Sequence, residues 1–289
     1  MNARPFRPGL LLVSALTLVA ALSAQAPKID IPAASPASTL KQRVGFTDIE
    51  ITYSRPGIKN RVIFGGLLAY DQVWRAGANA ATQITFSTPV KLNGTEIPAG
   101  TYGLFAIPGR EQWTVIINKT FKQWGAYAYK QADDILRISV TPVKLADAVE
   151  TFTIDLNDIR DESATLNLIW EKTRVPVKLE VDVTSKVVAQ IDAAMAADGK
   201  KPYAEAAMFY LDHNLDLKKA AAWMDAAIAE QPNAFWLLYH KGRLLAKMGD
   251  KAGAIAAAKA SIDLVAKSTG PEKDEYTRLN QALIASLSK

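Results

Sequence analysis

Arg55, Arg61 and Arg75 crowd into "YSRPGIKNRVIFGGLLAYDQVWRAGANAAT" (residues 53–82), with Trp74 beside the last of them and Asn79 closing a Gly77-Ala78-Asn79 turn. A guanidinium presents five donors in a planar fork that matches a carboxylate or phosphate, and it stacks on an indole face. Asn79 close to Gly77 fits a turn whose backbone N–H groups add further donors. Two readings follow. In one, Arg55, Arg61, Trp74, Arg75 and Asn79 line a pocket for a small anionic or polar ligand. In the other they form a structural clasp, the arginines pairing with Asp48 or Asp134 and capping loop carbonyls.

A second stretch, "WGAYAYKQADDILR" (residues 124–137), sets Trp124, Tyr127 and Tyr129 ahead of Asp133, Asp134 and Arg137. Aromatic faces beside carboxylates suit sugars, and paired acids cleave glycosides. Trp124 and Arg137 therefore join the candidate ligand set, and Asp133 or Asp134 would carry the alternative, a carbohydrate-active enzyme. Neighbouring residues in a strand point to opposite faces, which is a poor arrangement for an acid–base pair. Aromatics that pack, with acids facing water, account for the same pattern.

Other chemistry has few players. "DLNDIRDE" (residues 155–162) offers oxygens to calcium but lacks the glycine and spacing of an EF-hand loop, so a solvated turn explains it as well. The chain has no cysteine and two histidines, His213 and His240. Both lie in the later, helical part, away from the polar loops, without metal-motif spacing. A Ser-His-Asp triad would have to borrow one of them from that part. Neither a metal nor a cofactor is expected.

The elements that must position these residues read in three parts. Arg4 and Arg7, the apolar run Leu10 to Leu22 and Ser23-Ala24-Gln25-Ala26 have the anatomy of a secretory leader, cleaved between Ser23 and Pro27. The expected product is exported, periplasmic or extracellular, with no membrane span left after cleavage. Its formal net charge drops from +5 to +3, and residues 27–183 carry 18 basic and 17 acidic groups. That balance speaks against a nucleic-acid partner.

From Asp48 to Asp182 the apolar residues alternate with period two, as in "DIEITYS" (48–54), "WTVIIN" (113–118), "DILRISV" (134–140), "ETFTIDL" (150–156), "ATLNLIW" (164–170) and "VPVKLEV" (175–181). Asn93-Gly94 within "KLNGTEI" is the strongest short hairpin signal. Eight or nine short strands of this kind predict an all-β antiparallel sandwich or barrel over residues 27–183. After Thr184 the spacing turns helical and alanine-rich, which predicts an all-α domain over residues 184–289. A shift of 34 residues aligns Leu211 with Leu245, Asp216 with Asp250, Ala220 with Ala254 and Ile228 with Ile262. Residues 201–268 thereby resemble tetratricopeptide repeats, with Met208 standing where the second unit has Gly242. Such helices offer a surface to a protein partner or pack against the β part.

"SPAST", "YSRPGIKNRVIFG", "VWRAGANAAT", "IPAGTYGLFAIPG", "EQWTVIINK" and "WGAYAYKQADDILR", in that order, resemble Domain of Unknown Function family 2911 from about Ser35 to Val181. The resemblance implies an exported bacterial protein and brings no activity with it. The expectation is a non-enzymatic ligand- or partner-binding protein of the cell envelope.

Overall fold

The computed structural model describes Met1 and residues 30–288, so the expected leader lies outside the described residues. Ten strands run in chain order: β1 (Ala37–Val44), β2 (Thr47–Ser54), β3 (Thr82–Phe86), β4 (Val90–Leu92), β5 (Thr95–Ile97), β6 (Gly100–Ile107), β7 (Trp113–Asn118), β8 (Asp134–Val140), β9 (Val143–Asn157) and β10 (Ser163–Val181). One sheet has the order β1-β2-β3-β6-β7-β8 and the other β5-β4-β10-β9, with every pairing antiparallel. The sheets stay separate and pack face to face as a sandwich rather than closing into a barrel.

Alternation places the core. β2 buries Ile49, Ile51 and Tyr53 on the inner face while Asp48 and Thr52 stay exposed. The Tyr53 hydroxyl reaches the opposite sheet, donating to the Ile154 carbonyl at 3.3 Å and accepting from the Ile154 N–H at 3.0 Å. Trp74 and Trp170 stack at 5.8 Å within the same core. At the β4–β5 hairpin Asn93 (φ 46°) and Gly94 (φ 85°) take the positive angles that a type I′ turn demands.

Three strands fall outside the alternating segments. β1 is an edge whose apolar content is thin. β3 is only five residues long. β6 buries Leu104, Phe105 and Ala106 in succession because its sheet is covered on both sides. On the outer side Phe105 and Ile116 pack with Ala81 under Val73, Ala126 and Tyr129. The segments at 164–170 and 175–181 are one strand, β10, whose register against β9 shifts on either side of Glu171 (φ 54°). That irregularity interrupts the alternation and makes one bent strand look like two.

Six helices follow: α1 (Thr184–Ala196), α2 (Tyr203–Asp212), α3 (Leu217–Glu230), α4 (Phe235–Lys247), α5 (Lys251–Val265) and α6 (Glu272–Leu287). Asp216 caps α3, accepting from the Lys218 and Lys219 N–H groups at 3.0 Å each, and Asp250 caps α5, accepting from the Gly253 N–H at 2.8 Å. A Cβ at Gly242 would stand 3.2 Å from the Ala254 carbonyl oxygen, so α4 lies close on α5. Among the described residues no helix is long and apolar enough to cross a membrane.

Candidate functional site

Between β2 and β3 the chain leaves the sheet and folds on itself. Leu68 N–H donates to Ile63 O at 2.8 Å and Leu67 N–H to Val62 O at 2.9 Å, which knits residues 62–68 into a compact loop. Trp74 then pairs with Ala106 of β6 in both directions, at 2.7 and 2.8 Å, fixing the return path against the sheet. Its indole N–H donates to Gly77 O at 2.9 Å, and the Thr82 hydroxyl donates to Ala76 O at 2.6 Å. Ala76, Gly77 and Asn79 all have positive φ. A side chain at Gly77 would meet Ser54 O and Thr82 Oγ1 at 3.0 Å each, so the turn requires glycine there.

This tight course opens a cavity of about 360 Å³. Arg61, Arg75 and Asn79 supply its polar groups, and Pro56, Leu67, Leu68, Trp74 and Trp170 its apolar walls, with Ser35, Gly77 and Ala78 completing the lining. A smaller cavity of about 150 Å³ shares Leu67, Leu68, Trp74 and Arg75 with it and adds Ala69, Gln72, Val73 and Ala126. Neither lining contains an aspartate or glutamate.

The arginines divide by what they touch. Arg55 donates through Nε to Phe152 O at 3.0 Å and through Nη2 to Thr153 Oγ1 at 2.8 Å, tying the end of β2 to β9. Arg61 caps its own loop, Nη2 donating to Gly57 O at 2.6 Å and Nε to Ile58 O at 3.0 Å. Arg75 differs: its Nε is buried and meets no hydrogen-bond partner among the described residues. Asn79 spends both amide hydrogens on Ser35 O at 3.2 Å and Ser54 Oγ at 3.3 Å, which leaves Oδ1 as its available acceptor.

The other candidates sit elsewhere. The Asp134 side chain is 6% exposed, and its Oδ2 accepts from Arg137 Nη1 at 2.9 Å. The same oxygen accepts from the Tyr129 hydroxyl at 2.7 Å, while Oδ1 accepts from Asn118 Nδ2 at 2.7 Å. Burial first, then the Asp134 carboxylate, pushes the Tyr129 hydroxyl up to about 12. Asp133 accepts from the Thr120 hydroxyl at 3.2 Å. Trp124 (65% exposed) and Tyr127 (87% exposed) stand in solvent. Trp124 pairs by backbone with Ala80, and the Gly125 N–H donates to Asn79 O at 2.9 Å, so that loop flanks the cavity without Trp124 lining it.

The structure therefore brings Arg61, Trp74, Arg75 and Asn79 together and leaves Arg55, Trp124 and Arg137 outside the lining. A clasp onto Asp48 or Asp134 does not form for Arg55, Arg61 or Arg75. Arg43 sits opposite Asp48 in the β1–β2 register and binds it at 2.7 Å, while Asp134 is held by Arg137 three residues on. Carbonyl oxygens, not carboxylates, take up Arg61 and much of Arg55. In the stretch weighed for calcium, Asp155 accepts from Asn167 Nδ2 at 2.8 Å and Glu162 from the Val183 and Thr184 N–H groups at 3.1 and 2.5 Å. Among the described residues no three acidic or histidine side chains gather closely enough to hold a metal ion. His213 stacks on Phe209 at 3.9 Å, and His240 meets Arg243 at 3.1 Å. The lining residues that sequence patterning did not single out are chiefly Leu67, Leu68 and Trp170. The first two left a trace in "GGLL", an apolar pair that follows two glycines in the β2–β3 connection.

Fold and site together define a two-sheet antiparallel sandwich with a cationic, carboxylate-free cavity in its β2–β3 connection, followed by six helices. Residues 35–179 match the family model described as protein of unknown function (DUF2911), and the chain belongs to that family. Nothing matches the chain among curated proteins or among solved structures.

Proposed function

We propose that this is an exported, non-enzymatic binding protein of the cell envelope that takes a small anionic ligand in the Arg75 cavity. One observation carries the reading: a buried guanidinium Nε with no acceptor among the described residues, in a lining without carboxylates. Leaving a buried donor unsatisfied costs about 1–3 kcal/mol, and an anion that draws the Arg75 guanidinium round so that Nε donates to it removes that cost. The site offers no nucleophile–base pair. The alternative, a carbohydrate-active enzyme using Asp133 or Asp134, draws on the exposed Trp124 and Tyr127, but Asp134 is committed to three internal donors.

We read α2–α5 as two tetratricopeptide-like pairs presenting a face to a protein partner. The matching caps at Asp216 and Asp250 and the close helix approach at Gly242 support that reading. Export rests on the basic, apolar and small-residue pattern of residues 1–26.

A thermal-shift series on residues 27–289 tests the site, with phosphate, small carboxylates, calcium and neutral oligosaccharides as ligands. A ligand at a hundred times its Kd stabilises the fold by about 2.7 kcal/mol. The expected result is a shift with an anion that Arg75→Ala abolishes and Asp134→Asn leaves in place. A shift with oligosaccharide alone, lost in Asp134→Asn, would replace this reading with the enzymatic one.

A further inference from the structure

The lining of the cavity narrows the ligand further, on the footing that the site is an anion site. We infer that the ligand is a small apolar carboxylic acid bearing a neutral hydrogen-bond donor such as a hydroxyl, rather than inorganic phosphate or a sugar.

Three features of the cavity point there. Two guanidiniums line the cavity, but Arg61 already gives Nε and Nη2 to Ile58 and Gly57 and is anchored to its own loop, so the buried donor still to place is that of Arg75. One planar fork suits one planar carboxylate, whereas a phosphate dianion calls for donors on several sides. Asn79 then sets the polarity of the neighbouring position. Its Nδ2 is held by a carbonyl, which accepts only, so Oδ1 is the atom it can offer a ligand. An acceptor there opposes a second anionic oxygen and favours a ligand O–H. With no carboxylate in the lining, a ligand ammonium would find no counter-charge, which disfavours a zwitterion.

The apolar walls fix the rest of the molecule. Trp74 is held rigid by stacking on Trp170 at 5.8 Å with 20° between the ring planes. Leu67, 47% exposed, lines the same space from the loop side, so a hydrocarbon body between leucine and indole removes apolar surface from water on both partners. Arg75 lines both cavities, and Val73 and Ala126 extend the smaller one in apolar character. A head on Arg75 thus has apolar side chains within reach in both cavities.

Calorimetric titration at neutral pH and fixed ionic strength tests this with sodium phosphate, acetate, butyrate, hexanoate, 2-hydroxyhexanoate and neutral hexanamide, in parallel on the protein and on Arg75→Gln and Leu67→Ser. We expect affinity to rise about fourfold per added methylene from acetate to hexanoate. The hydroxy acid should bind more tightly than hexanoate, and hexanamide weakly or not at all. Leu67→Ser should flatten the chain-length dependence while the protein stays folded, and Arg75→Gln should remove carboxylate binding. Phosphate binding as tightly as hexanoate, with loss in Arg75→Gln, would overturn the carboxylic-acid assignment and keep the anion site. Binding of hexanamide equal to that of hexanoate, insensitive to Arg75→Gln, would overturn both. So would no binding by any member of the series.

Discussion

At the scale of single residues, Arg75 and Asp134 make opposite predictions about stability. The buried Nε of Arg75 meets no acceptor among the described residues, so a side chain of similar length without donors relieves a cost rather than breaking a contact. Arg75→Met is expected to raise the stability of the ligand-free protein by about 1 kcal/mol in denaturant titration, whereas an arginine serving as a clasp would lower it on replacement. Asp134 gathers three donors from Asn118, Tyr129 and Arg137, and Asp134→Asn should cost about 2 kcal/mol by the same measurement. His240 adds a dependence on pH. Burial, then the Arg243 charge, lowers its proton affinity below the usual 6.5, with Asp212 opposing. Below about 6.5 the unfolded chain therefore binds a proton that the folded one resists, and stability declines as pH falls through that window. His240→Gln should flatten that decline in melts run from pH 7 downward. The crowding of arginines and tryptophan was plain in the sequence; which of Arg55, Arg61 and Arg75 would keep a buried Nε without a partner among the described residues was not. Three of the four acceptors that take up Arg55 and Arg61 are backbone oxygens, of Phe152, Gly57 and Ile58, and a backbone oxygen carries no residue signature; the fourth is the Thr153 hydroxyl.

Elements show the same division between what a local pattern carries and what it cannot. β2, β7 and β8 match their alternating segments to within a residue; in β2 and β8 one face is buried and the period survives, while β7 keeps Thr114 half-buried at its start before both faces close over. β6 escapes because the loop bearing Val73 and the one bearing Ala126 and Tyr129 cover its outer side, and that cover is built from residues distant in the chain. The site inherits this difficulty. Its loop is local, but the wall opposite comes from Trp170, placed by the pairing of β10 with β9. The helices were easier to read, since their alanine-rich helical spacing is a short-range signal, and the caps that the structure adds are short-range too. Asp216 and Asp250 stand 34 residues apart and each ends its loop by accepting from first-turn N–H groups. Replacing either by alanine should cost about 1 kcal/mol. Asp216→Ala should be the larger loss, because Asp216 accepts from two N–H groups and Asp250 from one. Equal and negligible losses by circular dichroism melts would show that water replaces both caps without penalty.

Across the whole molecule, the question is whether the sandwich and the helices unfold together. Each has its own buried cluster, but Val187 of α1 and Phe209 of α2 pack against both. The junction is also bonded: Glu162, in the β9–β10 connection, accepts from the Val183 and Thr184 N–H groups where α1 begins. A carboxylate at that position satisfies donors the helix cannot satisfy itself and complements its dipole. Two clusters that share side chains and a charged cap are energetically coupled, so calorimetry should give one transition. Phe209→Ala removes the shared ring and should cost about 2–3 kcal/mol, less than a fully buried phenylalanine because this one is partly exposed. Combined with Glu162→Gln it should split the single peak into two, the helices melting first, since alanine is the commonest residue in their buried cluster and the sandwich buries tryptophan and phenylalanine. The ligand-induced shift should then appear only in the later peak, because the Arg75 cavity is built entirely from the sandwich and its loops. Two peaks in the parent protein would mean that Val187, Phe209 and Glu162 touch both parts without joining them, and a partner bound by the helices would then have no route to the ligand site.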